Sequence, residues 1–177
     1  PEQYWAAKRR RAPLRAFFAD YPDEARLTPE YRERWLAWIE TPEWLARDRL
    51  MPGAHECLEQ LSRTHALYLV TLRRQTATLA GQLDELGLRP YFQQVFSGWA
   101  EEGEAAWLKA RWMCPLLGGA GAVMVGDTEV DVQAATMLGM RAVGVSFGIR
   151  EPQALLAMGA ERVIDDLREL PGLLAKA

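Results

Sequence analysis

From residue 52 onward the chain alternates between short apolar runs and longer stretches in which apolar residues recur every three or four positions. The runs are Ala66 to Val70, Gln94 to Phe96, Ala122 to Val125 and Ala142 to Val145, with a short addition at Val163-Ile164. Their brevity and near-continuous apolar character predict parallel strands buried on both faces. The intervening stretches predict amphipathic helices. Gln75 to Leu86 puts Leu79, Leu83 and Leu86 on one side and stops at Gly87; Glu104 to Leu117 follows, and Val130 to Leu138 ends at Gly139. Helices alternating with strands across short connections predict an α/β fold, a parallel sheet with helices on both faces.

The first fifty residues carry a different pattern. They hold Trp5, Trp35, Trp38 and Trp44 among many arginines and contain no β-like run, so helices are expected there. Thr28-Pro29 and Thr41-Pro42 mark two helix starts, where the hydroxyl caps free N–H groups and proline takes the first helical position. Within YRERWLAWIE, Tyr31, Trp35, Trp38 and Ile39 fall on one helical face, expected to pack between helices. The change of pattern near Met51-Pro52 divides the chain into a helical module, residues 1–51, and an α/β core, residues 52–177.

A length of 177 residues with 49% hydrophobic positions suits one ordinary domain, or a core with a small appended module. The net charge of -3 gives no global attraction to nucleic acid or to anionic lipid, so a small soluble substrate is the default partner. Cys57 and Cys114 lie far apart in no metal-ligand spacing and are expected as two small buried hydrophobes, as in a reducing cytosol. His55 and His65 lack further ligands and carry no assignment. No apolar stretch reaches the length of a membrane span, and the opening PEQYWAAKRRRAPLR lacks the apolar core of a signal peptide. A soluble, cytoplasmic protein is the expectation.

In open α/β sheets ligands bind beyond the carboxyl ends of the strands. LYLVT delivers Thr71 to one such end, followed by Arg73 and Arg74, and VMVGD delivers Asp127 to another, with Gly126 permitting a tight backbone path. Asp127 and Asp131 are four apart, so a helix after Gly126 turns both carboxylates toward the same space. Two close anions repel unless something positive lies between them, and a hard cation such as Mg2+ suits oxygen ligands. The alternative is that Asp127 caps the helix while Glu129 and Asp131 favour its first turn through the dipole. Lys109, inside EAAWLKARWM, is either an ordinary solvated lysine or a charge that offsets the carboxylates and holds a transferring phosphoryl group.

A strand ending in threonine, then a lysine, then a strand ending in GDxxxD resembles the haloacid dehalogenase (HAD) superfamily. Thr71 in LYLVTLR matches its second motif, Lys109 its third, and Asp127 with Asp131 in VGDTEVD its fourth. Supporting phrases run through the core, from MPGAHECLEQL to ERVIDDLREL. The resemblance implies a Rossmann-like core and Mg2+-dependent hydrolysis of a small phosphorylated metabolite through an aspartyl-phosphate. Residues 1–51 look like the small helical cap of phosphoglycolate phosphatase-like members. By the same resemblance Thr71 hydrogen-bonds the phosphoryl group, Lys109 balances charge and Asp127 holds Mg2+. Asp131 either binds Mg2+ through water or orients the lysine; Glu129 is not required. Arg73, two residues beyond Thr71, is the candidate to meet an anionic substrate.

One departure stands out. The superfamily's first motif, DxDx[TV], is absent; Asp20-Tyr21-Pro22-Asp23 has the wrong spacing and no preceding apolar strand. That motif supplies the nucleophilic aspartate and the acid–base aspartate, and without a nucleophile the covalent route is closed. Its strand lies in the middle of the superfamily's sheet, so omitting it leaves backbone groups on two neighbouring strands without partners. An upstream segment is therefore expected, in keeping with a sequence that starts at Pro1 rather than methionine. The alternatives are an inactive HAD-like binding or regulatory protein and a 2-haloacid dehalogenase. The latter needs no Mg2+ and is disfavoured by the carboxylate pair.

Overall fold

The computed structural model describes residues 2–100, 103–116 and 121–175. Among these residues five strands form where the apolar runs lie: β1 (Tyr68–Thr71), β2 (Gln94–Ser97), β3 (Val123–Gly126), β4 (Arg141–Val145) and β5 (Arg162–Ile164). Every pairing is parallel, with Thr71 opposite Ser97 and Gly126 opposite Gly144. The strands form two ladders, β1-β2 and β3-β4-β5. One edge of β1 and one of β3 thus have no strand partner among the described residues.

Burial follows the pairing. β4, flanked by strands on both sides, is buried over Ala142–Val145, whereas β1 and most of β3 are only half-buried despite equally apolar sequences. The expectation of fully buried strands therefore holds for β4 and fails for β1. A strand sheds water from its sides only when neighbours cover them.

Helices take both faces of the β3-β4-β5 ladder. On one side α4 (Ala54–Ser62) and α9 (Leu170–Leu174) bury Cys57, Leu61 and Leu170 against Val143, Val145 and Ile164. On the other, α6 (Ala105–Met113), α7 (Glu129–Met137) and α8 (Pro152–Ala157) gather Ala106, Ala110, Val132 and Leu155 around Met124 and Ala142. Ala134 and Ala135 on α7 are wholly buried, and these small residues let its backbone approach the sheet closely. α5 (Thr76–Glu85) follows β1, burying Leu79 and Leu83, and ends before Gly87, whose φ of +65° is the left-handed geometry glycine favours. α6 contacts both β1 and α7 and so bridges the two ladders. The expected end of its helix at Leu117 lies outside the described residues; a 3-10 turn takes over at Cys114.

Residues 2–50 are mainly helical, with α1 (Glu2–Arg9), α2 (Glu24–Trp38) and α3 (Pro42–Leu45). Thr28-Pro29 does not start a helix. α2 begins earlier, and the Asp23 carbonyl accepts from Arg26 and Leu27 N–H, closing the first turn before Pro29 is reached. Proline then forfeits one internal bond without ending the helix. Thr41-Pro42 does start α3, but the Thr41 hydroxyl donates to the Trp38 carbonyl at 2.9 Å instead of capping.

The aromatic face of α2 is less buried than its pattern suggests, with Trp38 57% exposed. Tyr31 packs on Phe18 and Tyr4, and the Lys8 ammonium lies 5.9 Å from the Trp35 ring centre. Cys57 is buried and Cys114 exposed, so only one thiol behaves as expected. Among the described residues no helix is long and apolar enough to cross a membrane.

Candidate active site

The apolar run of β3 stops at Gly126 because the next space is taken. A Cβ on Gly126 would overlap the carboxyl group of Asp131, so only glycine fits there, for want of room rather than for an unusual φ. Thr128 follows in extended conformation as the N-cap of α7. Asp131 Oδ2 accepts from the Thr128 N–H at 3.1 Å and from its hydroxyl at 2.8 Å, which satisfies a free donor at the start of the helix.

The other oxygen of Asp131 meets Lys109. Nζ lies 2.6 Å from Oδ1, and the two side chains are only 10% and 8% exposed. Lys109 is no solvated lysine: α6 packs beside α7 and buries it with Ala106, Ala110 and Met113. Helix-capping and charge-pairing are therefore both realised at Asp131, one on each oxygen.

Asp127 does not cap α7. Its Oδ2 accepts from the Ile149 N–H at 2.8 Å, and its carbonyl accepts from the Arg150 N–H at 3.2 Å, so the loop after β4 holds it by side chain and main chain together. Gly148 makes this closeness feasible, since a Cβ there would overlap the Asp127 side chain. Among the described residues Oδ1 of Asp127 has no hydrogen-bond donor. Thr71 stands at the equivalent carboxyl end of β1, half-buried.

The argininines divide between two surroundings. Arg73 Nη2 is 3.5 Å from Asp48, which also accepts from Gln82 Nε2 at 2.8 Å, and its Nη1 is buried without a partner. Arg74 instead lies over the Trp99 ring, 5.1 Å from its centre, and lines a cleft of about 590 Å³ with Arg32, Glu33, Leu36 and Gln75. Beside this cleft the buried carboxylate of Glu40 accepts from the N–H groups of Arg74 and Gln75, at 3.0 and 2.7 Å. It ties the end of α2 to the start of α5. A lone glutamate at a helix end gives no sequence signal of such a contact.

Glu129 was also unmarked by motif, yet it is buried two residues from each aspartate. Arg150 grips it with Nε to Oε2 at 2.5 Å and Nη2 to Oε1 at 2.9 Å, and Arg11 Nε lies 3.1 Å from Oε1. Burial by itself raises the pKa of this carboxyl; the Arg150 hydrogen bonds and the Arg150 and Arg11 charges outweigh it and leave the net shift downward. Arg11 is the one non-glycine residue with positive φ among the described residues, at 59°. It ends α1 through Arg11 N–H to Lys8 O and Ala12 N–H to Ala7 O, the two bonds of a Schellman turn. A left-handed residue bearing a Cβ costs roughly 1–2 kcal/mol.

Among the described residues no three His, Cys, Asp or Glu side chains gather as a ready metal cage. Mg2+ asks for less, one or two carboxylates with water and a substrate phosphate completing its shell. Asp127, with one oxygen uncommitted at a strand's carboxyl end, fits that demand.

A sequence profile described as HAD-hydrolase-like matches residues 109–170. Over that stretch the chain matches the haloacid dehalogenase superfamily, and its fold is α/β and Rossmann-like, as in solved members of that superfamily. Within the superfamily it is similar to phosphoglycolate phosphatases. One from Pseudomonas syringae is 30% identical over 127 residues, 70% of this chain and 47% of the relative. A second, plasmid-encoded, from Cupriavidus necator is 30% identical over 135 residues, 72% of this chain and 57% of the relative. A solved HAD-like hydrolase from Streptococcus pneumoniae shares the fold at 20% identity, with a TM-score of 0.73 over 91% of this chain and 76% of that one. The chain thus spans about half the length of the curated relatives it matches.

Proposed function

We propose that this chain is part of a Mg2+-dependent phosphatase acting on a small phosphorylated metabolite, with residues 1–51 as a helical cap over a core of residues 52–177. The observation that carries this is the buried Lys109–Asp131 pair beside Asp127, whose second oxygen is uncommitted. A buried lysine fixed by a carboxylate is a preorganised positive charge, suited to phosphoryl oxygens that gain charge during transfer. Of the two roles open to Asp131, orienting the lysine has the better support, since Oδ1 accepts from Lys109 and Oδ2 twice from Thr128.

In this mechanism Thr71 donates its hydroxyl to a phosphoryl oxygen from the end of β1. Lys109 would offset the charge of the group, and Asp127 would hold the metal with the oxygen that has no donor among the described residues. Bound Mg2+ would neutralise phosphoryl oxygens and align the group for in-line attack. The nucleophilic aspartate, which takes the phosphoryl group as an aspartyl-phosphate, comes from a strand outside these 177 residues seated between β1 and β3. The unpaired edges of those two strands support that placement. Arg73 is proposed to meet the substrate, with Arg74 beside it on the cleft. Similarity to phosphoglycolate phosphatases supports a small phosphorylated substrate; a cytoplasmic setting is part of the same proposal.

The test is hydrolysis of p-nitrophenyl phosphate by protein purified from its native source, alongside its intact mass. Mg2+-dependent release that is lost in Asp127→Asn is the expected result. A native chain that begins at Pro1 and hydrolyses nothing would favour the inactive binding or regulatory protein. Metal-independent removal of halide from a 2-haloacid would favour the dehalogenase.

A further inference from the structure

Arg150 is the point at which three parts of the molecule meet. Its backbone N–H holds the carbonyl of Asp127, its Nε and Nη2 fork onto Glu129 at the start of α7, and its Nη1 donates to the Lys8 carbonyl in the last turn of α1. Its side chain is 13% exposed and that of Glu129 11%, so water weakens the pairing little. Arg11 reaches the same carboxylate from just beyond α1. Helix ends agree with this arrangement, since guanidinium groups lie at the carboxyl end of α1 and a carboxylate at the amino end of α7. Arg11 keeps a backbone conformation that glycine would adopt more easily, and its side chain spans to Glu129 from there.

We infer that Arg150 is a positioning residue: with Glu129 it clamps α1 to the loop that carries Asp127, so that docking of the helical module and placement of the metal-binding carboxylate are one event. This rests on the reading of Asp127 as a Mg2+ ligand. A lysine at position 150 keeps the charge but can neither fork onto a carboxylate nor reach a third acceptor in the same plane.

The test uses the full chain and two readouts that do not need turnover: Mg2+ affinity by calorimetry and amide hydrogen exchange of residues 2–9. In Arg150→Lys, affinity falls about tenfold or more, the usual effect of losing a group that orients a metal ligand. Exchange in α1 rises at the same time. Glu129→Gln moves both readouts in the same direction, and Arg141→Ala, an exposed ion pair with Glu161, moves neither. Unchanged affinity in Arg150→Lys beside a wild type that binds Mg2+ overturns the positioning role alone. A wild type that binds no Mg2+ overturns the metal reading and the positioning role with it. Weakened affinity with unchanged exchange in α1 overturns the link to the helical module.

Discussion

β4 and β1 are short parallel strands of similar apolar content, RAVGV and YLVT, yet one is buried and the other half-exposed. β4 has a strand on each side and helices above and below; among the described residues β1 has one neighbouring strand and an unpaired edge. Composition decides that a run becomes a strand, and its neighbours decide how much that strand contributes. The catalytic candidates divide along the same line. Asp127, Asp131 and Lys109 belong to the well-packed side, held by partners at 2.6–3.2 Å, while Thr71 and Arg73 stand on the open side.

The largest way to test this division is at Lys109. Lys109→Met keeps the apolar stem and removes the charge, leaving Asp131 buried without its cation. Breaking a buried pair in this manner costs about 3–5 kcal/mol, read from the urea midpoint of the full chain. A loss near zero would mean that the packed side is open to water and the comparison is wrong.

Next is Gly126. Gly126→Ala forces a Cβ into the Asp131 carboxyl group, where the Lys109 and Thr128 bonds leave little room to give way. The expected cost is about 2 kcal/mol, within the range for overpacking, with the same urea measurement as the check. A neutral result would show that the carboxylate turns aside freely and that its bonds to lysine and threonine are weak.

How far the sequence reveals this molecule depends on how local each cause is. The strands, α5, α7 and the carboxylates at the end of β3 follow from patterns within a dozen residues, and their positions agree with the structure to within two residues. Lys109 needed the resemblance to stand out, since its burial comes from α7 packing across it rather than from its own neighbours. Glu40, Glu129 and Arg150 were not legible. Each acts on a residue 21 or more positions away, and nothing in their spacing marks the contact. The helix start at Thr28-Pro29 failed for the opposite reason: a sound local rule was overridden by a turn already closed at Asp23. The aromatic stripe of α2 shows the limit of periodicity, which identifies a face but not what covers it.

The comparison of strands can itself be measured. Val143, 1% exposed on β4, and Val70, half-buried on β1, differ in surroundings more than in chemistry. Val143→Ala is expected to cost about 2 kcal/mol and Val70→Ala about 1 kcal/mol or less, since burial of the deleted groups sets the loss. Equal losses would show that β1 is covered in solution as β4 is. Such a result in the native protein, with unequal losses in these 177 residues alone, would locate the missing cover beside β1.

The smallest effect expected is a gain. Gly81 lies inside α5 on the open side, an added Cβ meets nothing within 4 Å, and its φ is not positive. Alanine there removes the entropy cost of glycine in a helix, so Gly81→Ala should stabilise the protein by about 0.5–1 kcal/mol. Thermal melting of the variant is the check, and its sign is what counts. A glycine on the packed side is costly to replace because the Asp131 carboxylate fills the space, while one on the open side is replaced readily because an added Cβ meets nothing. If Gly81→Ala destabilised the fold, α5 would have a neighbour on that face in solution, and the open side would be less open than its exposed residues indicate.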